Sequence, residues 1–462
     1  MEMLKGNKAM INTVETRFDI AGSIDSALKQ DIELSLAAAK KLGQQKLDKA
    51  LYQALIMPRR LLSDWPTTYD QYLAFVGAFY NWRPIEEAGS QWSNHYSGKA
   101  AGSQEIYDRL CFFYFLINQP LETPLTVQPG QTLQQNPNFN KWVNEFSIKW
   151  GEHLSQSDSF GGDSEIKAFI DNAPLYSVID SLVNPANTTP PFYPVGGEWT
   201  SFNAFFARQL RSGLRPIATP ASDKEVLVTR PADCTFRAAY QIDSQGRVVT
   251  PDGQPIVIKG THTVVKISEL LQTSDTTKDY NALFANGTFI HYFLAPYSYH
   301  RFHAPVSGTI IDQQVVTGIA YLAVNVTDQG QFDAPDSSED GYEFQQARGF
   351  VVIDTSQNGG PDIGLVATAP IGMCQVSGVV LKDASDQPLV KGTPITQGDQ
   401  FGYFQFGGSD IIVLLQQPSA LKGTATLNMN TNSPTDFNPD TQPHYSPDYY
   451  SYGTKIVSIT KN

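Results

Sequence analysis

Apolar residues in the first part of the chain recur at steps of three and four residues, the spacing of one helical face. The pattern is clearest over 23–56, which is also rich in strong helix formers. Two aromatic-rich stretches, 67–82 and 106–117, continue it with Trp, Tyr and Phe at a spacing typical of buried core. These stretches predict a helical N-terminal domain over 1–190.

The pattern changes at 184–199, where Pro, Gly, Asn and Thr cluster without periodicity and indicate a linker or domain boundary. Beyond it, short runs rich in β-branched residues are bounded by turn residues, as expected of strands. The clearest predicted strands are 315–326, 349–355 and 410–415. A helix is also expected around 199–210. The sequence therefore predicts an α+β fold, with a mostly β domain over 200–462 after the helical one.

Two segments indicate which type of β fold the second domain has. "HAPVSGTI" (303–310) and "VKGTPITQGDQFGYF" (390–404) resemble the two halves of a biotinyl- or lipoyl-like barrel sandwich. A carrier domain of that type needs an exposed lysine at a hairpin tip. Lys382 and Lys391 flank a suitable segment, but neither has the Met-Lys-Met setting of a carrier. The segments therefore predict a barrel-sandwich-like core and argue against a carrier domain.

Charge and composition exclude several classes of protein. The net charge of −13 over 462 residues argues against nucleic acid as a partner. Three cysteines, odd in number and without a C-x-x-C motif, indicate a reducing compartment, so we expect a cytoplasmic protein. The N-terminus has no apolar signal region, and the longest dense apolar run, 110–117, is too short to span a bilayer. We therefore expect no integral membrane segment.

Histidine supplies the clearest candidate chemistry. His291, His300 and His303 lie within thirteen residues, and imidazole transfers protons well near neutral pH. A metal site at His300-x-x-His303 is disfavoured, because no Cys or acid stands at a ligand-like spacing, so no metal is predicted. Asp233 and Ser409 would complete an Asp–His–Ser set with His303, although such triads are recognised by geometry and not by order. A purely structural histidine pair is the alternative.

Four blocks of sequence now carry a resemblance. They are "SFNAFFARQLRSGLRPI" (201–217), "PAD" (231–233), "APYSYHRFHAPVSGTI" (295–310) and "GDQFGYFQFGGSD" (398–410). Together and in this order they resemble the phosphatidylserine decarboxylase family. The aromatic-rich N-terminal region resembles the extra helical domain of a branch of that family that includes fungal L-tryptophan decarboxylases.

The resemblance implies that the chain cleaves itself. Ser409, activated by His303 and Asp233, would attack the carbonyl of Gly408 and convert the peptide bond to an ester. The glycines before Ser409 permit the close backbone approach that this attack needs. Elimination and hydrolysis would then leave a pyruvoyl group at the new N-terminus. The products would be a β chain, 1–408, and an α chain that begins at former Ser409.

The resemblance also implies a reaction and a substrate class. The pyruvoyl ketone would bind a substrate amine and accept the electrons released when the carboxylate leaves as CO₂. His300 is the candidate for handling substrate protons or the carboxylate. The candidate pocket walls are Tyr299, Phe302, Tyr321 and Met373. A free L-amino acid, aromatic and tryptophan-like first, is the favoured substrate.

Two other functions stay open at this point: decarboxylation of phosphatidylserine, and an uncleaved homologue that serves as a binding module. Members of the family are often dimers, so a homodimer is compatible with the resemblance, which leaves the oligomeric state open.

Two positions depart from the family pattern, in which Gly usually follows "PAD" and Thr follows the serine. The chain has Cys234 and Asp410 there. Cys234 is expected to be a small packed residue, with a reactive thiol as the alternative. Asp410 has three readings: it could slow cleavage beside Ser409, lie near a substrate ammonium, or point to solvent from an edge.

Overall fold

The structure is a computed structural model. The described residues are 24–56, 65–85, 101–173, 176–256, 265–334, 341–372, 378–407, 409–417, 426–429 and 449–460. The chain divides into two compact units. The first unit comprises Met1–Pro174, Thr200–Phe202 and Ile319–Pro335, and the second comprises Leu175–Trp199, Asn203–Gly318 and Asp336–Asn462.

Helices dominate the described part of the first unit. They are α1 (Ser26–Lys46), α2 (Lys49–Ile56), α3 (Tyr69–Tyr80), α4 (Ala101–Phe115), α5 (Pro137–Leu154) and α6 (Asp163–Asn172), with a 3-10 turn at Leu133–Gln135. α1 begins after Asp25, whose side chain accepts a hydrogen bond from the amide of Leu28 at 2.8 Å. Thr68 closes a capping box at the start of α3. The helical pattern predicted over 23–56 is thus confirmed, as the two helices α1 and α2.

The aromatic side chains of the first unit pack against one another in its interior. Phe75 of α3 meets Phe112 of α4 edge-on, with ring centroids 5.5 Å apart. Phe79 and Phe113 pack at 5.0 Å between centroids. All four side chains are buried, so the aromatic periodicity of the sequence reports a core, as expected.

Strands dominate the second unit. The strands of the chain are β1 (Glu225–Thr229), β2 (Cys234–Ile242), β3 (Val248–Val249), β4 (Thr288–Leu294), β5 (Arg301–His303), β6 (Gly308–Val316), β7 (Asn325–Val326), β8 (Phe332–Asp333), β9 (Ala347–Asp354), β10 (Leu365–Gly372), β11 (Val379–Val380), β12 (Pro394–Ile395), β13 (Gln400–Phe404), β14 (Ser409–Leu415), β15 (Thr426–Met429), β16 (Tyr449–Tyr450) and β17 (Lys455–Thr460). Its short helices are α7 (Phe202–Phe206), α8 (Ile267–Leu270) and α9 (Tyr280–Leu283), with 3-10 turns at Val178–Ser181 and Tyr342–Phe344. The predicted strands 349–355 and 410–415 are confirmed as β9 and β14.

The main sheet runs in the order β12-β6-β9-β10-β14-β4-β2-β16, with β3 beside β2, and the pairings are antiparallel. A smaller sheet has the order β11-β13-β5, and another has the order β1-β17-β15. The halves of the predicted barrel sandwich meet, because β12 pairs with β6 and the Ala304 amide donates to the Asp399 carbonyl at 2.8 Å. Helices first and antiparallel strands after them confirm the α+β class. None of the described helices has the length and apolarity that crossing a membrane requires.

One predicted strand, 315–326, is confirmed only at its two ends. Its first residues end β6 and its last two form β7, while the residues between them are not in a strand and those from Ile319 onward belong to the first unit. There, Gln134 accepts a hydrogen bond from the Leu322 amide at 2.9 Å and donates one to the Leu322 carbonyl at 3.0 Å. Because a side-chain amide takes the backbone groups that a neighbouring strand would need, the β-branched pattern does not produce a sheet strand here.

Candidate active site

Ser409 is the first residue of β14, the strand between β10 and β4 in the main sheet. It pairs with Gly372 on one side and Leu294 on the other. Its side chain is fully buried, and Oγ has no hydrogen-bond partner among the described residues. Gly407 has a φ of +150°, a backbone conformation that favours glycine. Gly408 lies outside the described residues. The structure thus presents a buried hydroxyl without a hydrogen-bond partner among the described residues, two positions after a glycine with positive φ.

The chain upstream of Ser409 lies close to His300. The Phe404 amide donates to the His300 carbonyl at 2.9 Å, and the Phe406 amide donates to Asn203 Oδ1 at 2.9 Å. The ring of Phe206 lies 3.9 Å from the His300 ring and 5.0 Å from the Phe406 ring, between centroids. Contacts through Phe206 therefore bring His300 together with the residues before the serine.

The tautomer of His300 follows from the hydrogen bond that its ring makes to the backbone. Nδ1 lies 2.8 Å from the Ser298 carbonyl, and because a carbonyl only accepts, Nδ1 carries the proton. Nε2 is buried without a hydrogen-bond partner among the described residues. Burial lowers the pKa of His300 to about 3, so the ring is neutral at pH 7. The site therefore holds an available imidazole lone pair in a dry setting.

His303, the last residue of β5, is also a neutral imidazole with a defined tautomer. Nδ1 donates to the Gly398 carbonyl at 2.9 Å, and Nε2 accepts from the Tyr299 hydroxyl at 3.1 Å. The ring stacks on Tyr452 with centroids 3.8 Å apart. Burial lowers the pKa of His303 to about 4. Its basic nitrogen, Nε2, is thus engaged by a phenol that would have to move before another proton donor could reach it.

Asp233 lies in the same neighbourhood but does not bond to His303. Its carboxylate takes two hydrogen bonds from Arg215 Nε at 3.0 Å and one from Nη2 at 2.6 Å, and it accepts from the Tyr452 amide at 2.8 Å. Since the Gly398 carbonyl occupies His303 Nδ1, that nitrogen makes no direct hydrogen bond to Asp233. Tyr452 links them instead, because its amide binds Asp233 and its ring stacks on His303.

Sequence reasoning missed two of these residues, Gly398 and Tyr452. Gly398 acts through its carbonyl, which any residue has. Tyr452 lies far from every block, and no pattern in the sequence points to it. Asp233 and Tyr452 are 219 positions apart, and a hydrogen bond between such distant segments cannot be read from spacing.

The candidate pocket walls have different environments. Tyr299 is buried against His303. Phe302 is fully buried and packs against Phe401 at 4.9 Å and Phe404 at 5.1 Å between centroids. Tyr321 is half-buried and belongs to the first unit. Met373 lies outside the described residues.

The two departures from the family pattern are both buried. Asp410 is fully buried, with Oδ1 3.2 Å from Nε2 of His291, so the reading in which it points to solvent is wrong. Cys234 is a fully buried free thiol, as expected of a packed residue. Burial raises the pKa of the Cys234 thiol well above its usual value, which argues against a reactive thiolate.

Comparison with known proteins finds one matching family. The profile described as phosphatidylserine decarboxylase matches residues 202–433. Phosphatidylserine decarboxylase proenzyme 2 of Oryza sativa subsp. japonica is 31% identical over 232 residues, which is 50% of this chain and 31% of the rice protein. The chain thus spans about a third of that relative.

Two fungal relatives are similar over larger shares of their own length. Decarboxylase iboD of Amanita muscaria is 26% identical over 303 residues, covering 62% of this chain and 79% of the relative. L-tryptophan decarboxylase of Psilocybe cyanescens is 26% identical over 235 residues, covering 48% of each chain.

Proposed function

The chain belongs to the phosphatidylserine decarboxylase family, and we propose that it is a pyruvoyl-dependent decarboxylase of a free L-amino acid, with aromatic amino acids favoured. We propose further that it matures by cutting its own chain between Gly408 and Ser409. The observation that carries this proposal is Ser409 itself, a fully buried hydroxyl without a hydrogen-bond partner among the described residues. The matched family region contains Ser409 with the other proposed catalytic residues, Asp233, His300 and His303.

The residues present fit self-cleavage. A buried hydroxyl without a partner costs free energy, which supports a reactive role for Ser409 Oγ. Gly407 allows the chain to turn sharply just before the scissile bond. His303 is neutral, so Nε2 can accept the hydroxyl proton once Tyr299 turns away. Asp233, fixed by Arg215, holds Tyr452 and through it the plane of the His303 ring.

A pyruvoyl group derived from Ser409 would supply a ketone that binds the substrate amine and accepts electrons when CO₂ leaves. His300 can hold or deliver a proton at Nε2, the buried atom without a partner among the described residues. Phe206 excludes water from one face of that ring. The buried surroundings of His300 and Ser409 favour loss of charge from a substrate carboxylate.

The amino-acid substrate is supported by the name of one fungal relative, the L-tryptophan decarboxylase of Psilocybe cyanescens. The rice relative and the family name favour a second candidate, decarboxylation of phosphatidylserine. An uncleaved binding module is the third. We propose a cytoplasmic location, which the two described cysteines support, since both are buried thiols.

The deciding experiment is intact-mass measurement followed by a substrate panel. We expect two fragments split before residue 409, with the smaller lighter by one ammonia than its serine-started sequence. Ser409→Ala should give one uncleaved chain. The purified protein should then release CO₂ and an amine from an aromatic amino acid, and not from liposomes containing phosphatidylserine. If the wild-type chain is folded but uncut, the proposed enzyme is wrong and the uncleaved binding module is favoured.

A further inference from the structure

The scissile bond lies between two short stretches of chain that buried side chains hold in place. Upstream, Asn203 Oδ1 accepts from the Phe406 amide at 2.9 Å, and Asn203 is buried. Downstream, Nε2 of His291 lies 3.2 Å from Oδ1 of Asp410, and both side chains are fully buried. Only residues 407 to 409 separate the two held positions.

Burying the downstream pair, His291 and Asp410, costs folding free energy. The register places Asp410 opposite Ile371, on the sheet face that also carries Ile412 and an apolar core. A polar group buried in such a core costs free energy unless it is hydrogen-bonded. His291 Nε2 lies at contact distance from Asp410, but neither carboxyl oxygen has a hydrogen-bond partner among the described residues. Apolar side chains would fill this place at less cost, so the pair is not explained by packing.

The position of the pair suggests what it does. Successive side chains on a strand point to opposite faces, so Asp410 is fixed on one face while Ser409 Oγ faces the other. The contact of Asp410 with His291 therefore sets the direction of the Ser409 hydroxyl from the opposite face of the sheet. Displacements of about 1 Å can slow a positioned reaction about a hundredfold, so such a tie has a measurable kinetic consequence.

We propose that Asn203 and the His291–Asp410 pair are positioning residues for self-cleavage, which hold both sides of the bond so that Ser409 Oγ meets the carbonyl carbon of Gly408. The inference rests on the proposed function, since it requires cleavage at that bond. In the step concerned, the Oγ–C bond forms, the bond between that carbon and the nitrogen of residue 409 breaks, and the hydroxyl proton passes to that nitrogen.

The test separates positioning from stability with a double variant, His291→Phe/Asp410→Leu. Replacing a buried polar pair by apolar residues is often neutral or stabilising. We therefore expect its melting temperature, measured with Ser409→Ala added, to stay near that of Ser409→Ala alone. In the chain that retains Ser409, precursor made by in vitro translation should be cut at least tenfold more slowly than wild type. Cutting at the wild-type rate would overturn the role of the pair.

Asn203 is tested in the same assay. Asn203→Leu should slow cutting at least tenfold, whereas Asn203→Asp, which keeps an acceptor for the Phe406 amide, should restore most of the rate. Equal rates for the two variants would overturn the role of Asn203. Tyr280→Phe is the matched control, because it removes a buried 2.6 Å contact to Asp312 on β6, which is separated from β14 by β9 and β10. It should lower stability without slowing the cut.

Hydroxylamine identifies the step that is slowed. At neutral pH it cleaves an ester but not an ordinary peptide bond, so a slow variant blocked at the attack should not be cut before residue 409 when treated. Hydroxylamine-sensitive precursor would mean that attack proceeds and a later step is slow, against the inference. If wild type itself is not cut, the proposed function fails and not the positioning alone.

Discussion

His303 donates from Nδ1 to the Gly398 carbonyl and accepts at Nε2 from Tyr299, so its lone pair faces a phenol inside the protein. His300 has the same tautomer, with Nδ1 on the Ser298 carbonyl. In both residues the backbone selects which nitrogen is basic, and burial keeps the ring neutral.

The lowered pKa of His303 makes a pH prediction with a definite sign. An unfolded chain protonates this imidazole near pH 6.5, whereas the folded chain does so near pH 4. Between these values the unfolded state binds the extra proton, so the stability is full above pH 6.5 and falls as the pH drops toward 4. The shift corresponds to roughly 3 kcal/mol at full effect.

His303→Gln removes that contribution. In a Ser409→Ala background, the melting temperature of His303→Gln should depend less on pH between 6.5 and 4 than that of Ser409→Ala alone. In the wild-type chain, which keeps both His303 and Ser409, the rate of self-cleavage should stay constant from pH 8 to 5 and fall near pH 4. A rate that halves near pH 6.5 would mean that His303 titrates as an exposed histidine, contrary to its burial.

At the scale of the elements, the three-stranded sheet of β11, β13 and β5 positions the histidines, because His303 ends β5 and His300 precedes it. In β13, Gly402 pairs with Phe302 of β5. A Cβ on Gly402 would collide with the Phe302 ring and with the carbonyl oxygen of Val380 in β11. A backbone oxygen cannot turn aside as a side chain can, so one of the strands would have to shift.

Gly402→Ala should therefore displace β5 and its histidines. We expect a loss of about 1–3 kcal/mol in the free energy of unfolding, the usual effect of overpacking, together with slower self-cleavage. Gly378→Ala is the matched control, since among the described residues a Cβ there would meet only the flexible end of the Gln405 side chain, at 2.6 Å. Denaturant unfolding and the cleavage time course measure the two effects. Equal behaviour of the two variants would show that β5 tolerates the displacement.

The same elements show where sequence reasoning succeeds and where it stops. β14 could be predicted because its period and composition are local, and Ser409, His303 and Asp233 could be proposed from the blocks around them. The Tyr452 link could not, since it depends on chain segments that only the folded sheet brings together. The burial of Asp410 beside His291 was missed for a similar reason, because it requires the register of β14 on β4.

At the scale of the whole molecule, the segment 319–335 belongs to a different unit from the strands before and after it in the sequence. By sequence it falls between β6 and β9 of the second unit, but it packs within the first unit. Before β7 begins, side-chain amides bind the backbone of this segment: Gln134 bonds to both backbone groups of Leu322, and Asn140 donates to the Ala320 carbonyl at 3.1 Å. This explains why the predicted strand 315–326 is interrupted between β6 and β7.

If those amides hold the segment, removing one should open it locally and not unfold the protein. Gln134→Ala loses both hydrogen bonds to the Leu322 backbone and a third to Asn118 Oδ1, each contributing about 1 kcal/mol. Hydrogen exchange at the Leu322 amide should then become at least tenfold faster, because local opening exposes that group while α5 and its core stay packed. Glu152→Gln, which removes only an exposed ion pair with Lys149, should leave this exchange unchanged. Unchanged exchange in Gln134→Ala would mean that burial of Leu322 and Val324, and not the amide bonds, holds the segment in the helical unit.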